Sequence, residues 1–308
     1  MTNTVTVSVP ATTANCGAGF DSLGIACNLY NQLTLTLAPG NFLNMEVVGE
    51  GADIIPRTRQ NLIVRCVEQL LTTTGDSRRG LTIKLVNNIP LSRGLGSSSA
   101  AIVSGLFAAN CLVEKPLSKQ ELLSLATSIE GHPDNVAPAL LGGCTIAYME
   151  QGKAKCLTYQ PAKHLTLVAA IPDFYLPTKK AREALPATVP FGDAVYNASR
   201  SALLVGALLT GQSDFLADAL NDRLHQPYRK ALINGMQEVF DAARQAGADG
   251  AVISGAGPTL MAFVTQGEET ARAVGEAMKE AFSTVNVKAV IRVLNIDTQG
   301  VRVDKSCS

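Results

Sequence analysis

Pro90-Leu91-Ser92-Arg93-Gly94-Leu95-Gly96-Ser97-Ser98-Ser99-Ala100 is the stretch on which the reading of this chain turns. It follows a period-2 run, Leu81–Val86, and leads into a helical pattern over Ser98–Leu112, so the spacing predicts strand, glycine corner and helix. Gly94 and Gly96 let the backbone turn sharply and approach a ligand closely. The helix that follows offers unpaired N–H groups and the positive end of its dipole, both of which favour a phosphate. Ser97, Ser98 and Ser99 can cap that helix, contact phosphate oxygens or reach a metal ion. Taken alone, the loop fits a phosphate cradle and an ordinary capped corner equally well. It lacks G-x-x-x-x-G-K-[ST] and G-x-G-x-x-G, so neither a Walker A loop nor a dinucleotide fingerprint is present.

Working outward, period-2 alternation marks Thr4–Val9, Leu33–Leu37 and Leu43–Val48 as strands, with Pro39-Gly40-Asn41 as punctuation between the last two. Helical periodicity covers Asn61–Leu71 and Lys119–Ile129, and Gly142–Met149 returns to strand chemistry. Strands followed by helices give an α+β layer rather than a regular β-α-β alternation. The short polar stretch Glu150–Lys163, with Gly152 and Pro161, is the expected connection between two domains, residues 1–155 and 156–308. Beyond it the pattern predicts strands at His164–Ile171, Ala251–Ser254, Thr259–Val264 and Val285–Leu294. Helices are expected at Phe191–Leu209, Lys230–Ala246 and Glu268–Phe282. That is the element count of a two-layer α/β sandwich of ferredoxin-like type.

Composition narrows the function. A chain of 308 residues exceeds what one ordinary core serves, which agrees with two domains. Hydrophobic residues make up 46% and charged residues 17%, which excludes a disordered chain. Net charge is zero, no basic stripe exists and tryptophan is absent, so nucleic acid is not the expected partner. The cysteines number seven, and no two form C-x-x-C, which argues against a disulfide framework or a zinc site and suits a reducing compartment. Met1–Pro10 has no basic head or apolar stretch of signal type, and no run is long enough to span a bilayer. The expectation is a soluble, cytoplasmic protein with no membrane partner.

Two further motifs decide between cradle and corner. Pro10-Ala11-Thr12-Thr13-Ala14-Asn15-Cys16-Gly17-Ala18-Gly19-Phe20-Asp21 lies near the N-terminus, and Ser254-Gly255-Ala256-Gly257-Pro258-Thr259 sits between two apolar strands near the C-terminus. In order and spacing, these and the glycine-serine loop resemble the GHMP kinases over nearly the whole chain. Glu130-Gly131-His132-Pro133-Asp134-Asn135, Thr178–Pro186 and Gln226-Pro227-Tyr228-Arg229 resemble the members acting on the side-chain hydroxyl of L-homoserine. The resemblance implies a two-domain fold, the first domain like domain 2 of ribosomal protein S5 and the second ferredoxin-like. It also implies ATP, Mg²⁺ and a small amino-acid substrate, and it favours a homodimer. Two departures are visible: Ala256 replaces a more usual serine, and three serines stand where two are commoner, which leaves open which of them meets the metal.

Carried onto this sequence, the resemblance assigns Pro90, Leu91, Ser92, Arg93, Gly94, Leu95, Gly96, Ser97, Ser98, Ser99, Ala100 and Ala101 to the nucleotide phosphates, and Asn61 to the adenine side. Asn61 serves equally as a plain helix cap. Ser98 and Glu130 form the expected metal pair and the catalytic residues. Glu130 sits at a helix C-terminus stopped by Gly131, where a carboxylate is disfavoured by the dipole, and that tips it toward function. A zwitterionic substrate needs arginine for its carboxylate, here Arg182 and Arg229 by motif match, though without the resemblance each reads as a solvated helix residue. Asn15, Asp21, His132 and Asp134 are the acceptors for its ammonium and hydroxyl. His164 and His225 receive no role. No general base is assigned, since the hydroxyl proton can leave late to a phosphate oxygen. The Ser254–Thr259 segment is expected to abut the phosphate loop as support. Other readings are a related kinase acting on threonine, mevalonate or a sugar alcohol, and a non-catalytic nucleotide-binding regulator, whose degenerated loops are not seen. A structural protein using Phe191–Leu209 as an interface is a third.

Overall fold

The structure is a computed structural model and describes residues 3–307. Strand β1 (Thr4–Ala14) pairs antiparallel along its length with the long β2 (Leu23–Ala38). From Val7 to Ala14 every side chain of β1 is buried, as in a strand covered on both faces. That loss of alternation is why periodicity ends the strand at Val9 while the ladder runs on to Ala14, inside the Pro10–Asp21 motif. Pro10, which has no N–H to donate, sits at the register shift between Pro10 and Ala11.

Strands β3 (Leu43–Gly49) and β4 (Gly80–Asn87) pair in parallel, joined by a crossover that contains helix α1 (Leu62–Thr74). The corner after β4 leads into α2 (Ser97–Asn110), whose Ile102, Val103, Leu106, Ala108 and Ala109 are buried around more than one face. Such a helix is enclosed by protein, here by α1, β1, α3 (Lys119–Glu130) and α4 (Pro133–Leu141). Strands β5 (Cys144–Glu150) and β6 (Lys153–Tyr159) form a hairpin attached to the start of β2. The polar stretch Glu150–Lys163, expected as a bare connection, therefore holds a strand. Only Ala154 of β6 is buried, so the sequence shows no alternation there.

The second sheet has the order β10 (Ala289–Asn295), β7 (Thr166–Pro172), β9 (Leu260–Val264), β8 (Gly250–Ile253), all antiparallel. Between β7 and β8 lie α5 (Thr178–Glu183), α6 (Phe191–Thr210), α7 (Leu216–Ala219), α8 (Gln226–Arg229) and α9 (Met236–Gln245). On one face Val168, Ala170, Leu260 and Ala262 pack against Val239 and Phe240 of α9 and against Val274, Met278 and Phe282 of α10 (Glu268–Thr284). Side chains of the opposite face, Leu167, Ala169, Met261 and Phe263, join the core of the first sheet. A last strand, β11 (Arg302–Cys307), returns to pair with β1, an element that the sequence reading, which stopped at Leu294, did not anticipate. The mixed α/β arrangement agrees with the α+β expectation. It brings the end of β1, the corner before α2, the α3–α4 junction, α5, α8 and the β8–β9 turn to one place.

Candidate active site

A cavity of about 620 Å³ opens where those elements meet. Apolar side chains of Ile55, Leu62, Ile63 and Leu85 and charged ones of Asp21, Asp134, Arg182 and Arg229 line it. Of the residues singled out from sequence, Asn15, Asp21, Asn61, Leu91, Ser92, Arg93, Gly94, Gly96, Ser97, Ser98, Ala101, Glu130, His132, Asp134, Arg182 and Arg229 all face this cavity. Pro90, Leu95, Ser99 and Ala100 do not; the last three have side chains buried beneath the loop.

The corner requires glycine twice over. Gly94 and Gly96 have φ of 76° and 68°, and an added Cβ would lie 2.2 Å from the Ser254 carbonyl oxygen or 1.9 Å from Thr12 Oγ1. That approach brings the third motif against the loop. Ser254 Oγ donates to the Gly94 carbonyl (2.6 Å), the Thr259 N–H donates to the Arg93 carbonyl (3.3 Å), and the Gly255 N–H donates to the Ala14 carbonyl (3.1 Å). Gly96 is the N-cap of α2 and no side chain caps the first turn. Arg93 turns to the second sheet: its Nε donates to the Pro172 carbonyl (2.7 Å) and its guanidinium lies 4.1 Å above the Tyr175 ring. Asn61 caps α1, accepting from the Ile63 N–H at 2.8 Å and donating to the Pro56 carbonyl at 2.7 Å.

Glu130 closes α3 and accepts from Ser98 Oγ (2.8 Å) and Ser99 Oγ (2.9 Å). It forms no ion pair among the described residues. Nor does any group of three or more His, Cys, Asp or Glu gather there to hold a metal unaided. One unpaired carboxylate beside hydroxyls suits Mg²⁺, which keeps waters and phosphate oxygens for the rest of its shell. His132 caps α4 in extended conformation, and its Nδ1 is hydrogen-bonded to the Asp134 carboxylate. Burial works against its charged form, but that hydrogen bond, with the charges of Asp134 and Glu130, outweighs burial and raises the pKa above its ordinary value. Thr12 Oγ1 donates to Asn135 Oδ1 at 2.8 Å, which leaves the Asn135 amino group facing Asp134.

Asp21 and Arg182, each expected to meet substrate, meet one another: the guanidinium fork donates to both carboxylate oxygens at 2.8 and 3.0 Å. Asn15 holds the loop that presents Asp21, accepting from the Asp21 N–H at 3.0 Å and donating to the Gly255 carbonyl at 2.7 Å. Asn15, Asp21 and Ser92 all have positive φ, at 70°, 54° and 51°, backbone strain of the kind that collects at functional sites. Arg229 is only 2% exposed. Its Nε donates to the Ala181 carbonyl (3.2 Å) and its Nη1 to the Gly255 carbonyl (3.1 Å), yet no carboxylate pairs with it among the described residues. Burial, followed by the nearby Arg182 charge, lowers its pKa. A buried guanidinium that no carboxylate contacts among the described residues, at the wall of a cavity, suits an anion.

Sequence reasoning did not find Asn31, Ile55, Leu85 and Asn87, which also line the cavity. Asn31, Leu85 and Asn87 lie in ordinary strands and Ile55 in the loop between β3 and α1, and none carries a local signal. Thr178 lines it too and opens the Thr178–Pro186 segment.

The model of the GHMP kinases N-terminal domain matches residues 61–143, and that of the GHMP kinases C-terminal region matches residues 200–284. The chain belongs to the GHMP kinase family. Within the family it is similar to homoserine kinases. That of Carboxydothermus hydrogenoformans is 45% identical over 287 residues, 93% of this chain and 92% of the relative. That of Crocosphaera subtropica is 44% identical over 304 residues, 98% of each. The crystal structure of homoserine kinase from Cytophaga hutchinsonii superposes with a TM-score of 0.90 at 31% identity, covering 98% of both chains.

Proposed function

We propose that this protein is a homoserine kinase, which transfers the γ-phosphoryl group of ATP to the side-chain hydroxyl of L-homoserine and yields O-phospho-L-homoserine for threonine biosynthesis in the cytoplasm. The carrying observation is the unpaired, buried Arg229 guanidinium in the same cavity as an uncapped, glycine-cornered helix N-terminus. A cation for the substrate's anion and a cradle for phosphate thus share one enclosure.

The loop from Leu91 to Ser98 and the first N–H groups of α2 receive the phosphates of ATP. Ser98 and Glu130 would hold Mg²⁺, which when bound neutralises charge on the β- and γ-phosphates. The Arg182–Asp21 pair suits a zwitterion: the substrate carboxylate takes the guanidinium fork while its ammonium takes the freed Asp21, so both charges stay matched. Arg229 holds the same carboxylate from the buried side. Asp134, oriented by His132, and Asn15 complete the cup around the ammonium and hydroxyl. No base is assigned; alignment of the hydroxyl with the γ-phosphorus carries the rate, and the proton passes to a phosphoryl oxygen. In this reading residues 1–155 supply the nucleotide site and residues 156–308 supply the arginines.

The test is ADP release measured by a coupled assay with L-homoserine, L-threonine, mevalonate and galactose as acceptors. Release that depends on L-homoserine is expected. Release that L-homoserine leaves unchanged, or that another acceptor drives better, overturns the proposal.

A further inference from the structure

His225, which the sequence reading left without a role, is completely buried outside the cavity and against Arg229. Its ring nitrogens face two partners of opposite kind. The Gly17 carbonyl oxygen, 2.9 Å from Nε2, can only accept, and Arg229 Nη1, 3.3 Å from Nδ1, can only donate. Together they demand one species, the neutral imidazole with its proton on Nε2. Asp222, 3.6 Å from Nε2, does not compete for that proton. Its carboxylate already accepts from the N–H groups of Leu224, His225 and Gln226 and from Asn197 Nδ2. Burial lowers the His225 pKa, and the neighbouring Arg229 charge works the same way against the opposing pull of Asp222 and Asp21. Phe20 stacks on the ring at 5.0 Å, so the loop that carries Asp21 and the imidazole hold one another.

Arg229 Nη1 is thus shared between His225 Nδ1 and the Gly255 carbonyl, and Nε is held by Ala181. Among the described residues only Nη2 makes no hydrogen bond to protein. We propose that His225 is a positioning residue for Arg229: its bare Nδ1 fixes the guanidinium so that Nη2 is presented to the carboxylate of the substrate. The role rests on the homoserine reading for its substrate but not for the contact itself.

His225→Phe keeps the ring and its stacking and removes both nitrogens; His225→Asn restores an acceptor near Nδ1. We expect His225→Phe to raise KM for L-homoserine about tenfold or more, the cost of a hydrogen bond to a charged group, with kcat and KM for ATP moving less than about twofold. His225→Asn should recover part of the loss. With 3-amino-1-propanol, the same skeleton without the carboxylate, the loss of kcat/KM in His225→Phe should be much smaller than with L-homoserine. An equal loss on both acceptors, or no loss on either, overturns the proposal. Nitrogen-15 NMR of the wild-type imidazole gives an answer independent of acceptor and of variant folding. Protonation at Nε2 alone from about pH 6 to 8 is expected, and an Nδ1 proton or an imidazolium in that range overturns it. Failure of the wild type to use L-homoserine sinks the functional reading only, and the NMR result still decides the contact.

Discussion

Glu130 ends α3 where the helix dipole disfavours a carboxylate by about 0.3–1 kcal/mol, and no ion pair offsets that among the described residues. Replacing it with the isosteric amide should therefore leave Tm unchanged or raised. In the proposed metal pair the same change, Glu130→Gln, should lower kcat about a hundredfold and shift the Mg²⁺ titration to higher concentration. Calorimetry beside a magnesium-dependent assay checks both, and full activity would remove Glu130 from the pair. Arg229 poses the same opposition more sharply, since it is a buried charge that no carboxylate contacts among the described residues. Arg229→Met removes a buried charge but leaves the Ala181 and Gly255 carbonyls without that donor, so stability in a denaturant titration should change little, while L-homoserine binding measured by calorimetry should be lost. Arg182, with a side chain 39% exposed in its pair with Asp21, should move stability little when replaced by alanine but raise KM for L-homoserine. His132 sets a pH dependence. Its pKa is raised on folding, so the pair with Asp134 stabilises fully below the ordinary value near 6.5 and is lost as pH rises through the raised value. The Tm difference between wild type and His132→Ala should accordingly shrink from acidic to alkaline pH, and a difference that grows would contradict the sign.

The corner between β4 and α2 was the most legible element, because glycine at φ near 70° and a serine-rich helix start are local requirements that residue type alone announces. What the corner touches was less legible. Gly94 faces the Ser254 carbonyl from the other sheet, a contact between positions 160 residues apart that the order of motifs suggested but no spacing fixed. Gly94→Ala adds a Cβ 2.2 Å from that backbone oxygen at a φ that disfavours alanine, so the loop must shift. KM for ATP should rise while the intrinsic reactivity toward a small phosphate donor is spared; an unchanged KM for ATP would show that the loop does not hold the nucleotide. Elements with clean alternation, such as β3 and β4, were found nearly to the residue. Others were hidden for identifiable reasons. The second half of β1 is buried on both faces, β6 buries only Ala154, and α4 opens with Pro133 and contains Pro138, which masks its helical pattern. The cavity walls at Ile55 and Leu85 are ordinary apolar positions, and only the folded chain distinguishes them from core. His225 sits one turn before Arg229, an i, i+4 pair that the sequence did display.

The two sheets share one interior, and this governs how the whole molecule unfolds. All seven residues of β7 are buried because Leu167, Ala169 and Ile171 point into the core of the first sheet while Val168 and Ala170 point into that of the second. Phe263, fully buried on the neighbouring strand, belongs to the first core although its backbone lies in the second sheet. The β11 strand ties the C-terminal end back to β1, so neither sheet can open without exposing apolar surface of the other. Chains with two sheets often unfold in steps; this one should not. Phe263→Ala should cost about 3–5 kcal/mol, the usual range for a buried aromatic, and should destabilise both sheets by the same amount. The chain has no tryptophan, so a single one can report on each sheet without background. Tyr148→Trp on β5 and Val290→Trp on β10 place it at positions 50% and 54% exposed, where packing is disturbed least. In urea, the fluorescence midpoints of the two reporters should coincide with each other and with the circular dichroism midpoint. With Phe263→Ala added, both should fall together. Separate midpoints, or a fall at Val290→Trp alone, would mean that the shared interior does not couple the sheets, and that the arginines on α5 and α8 are held in register with the glycine-serine loop only by the hydrogen bonds across the cavity.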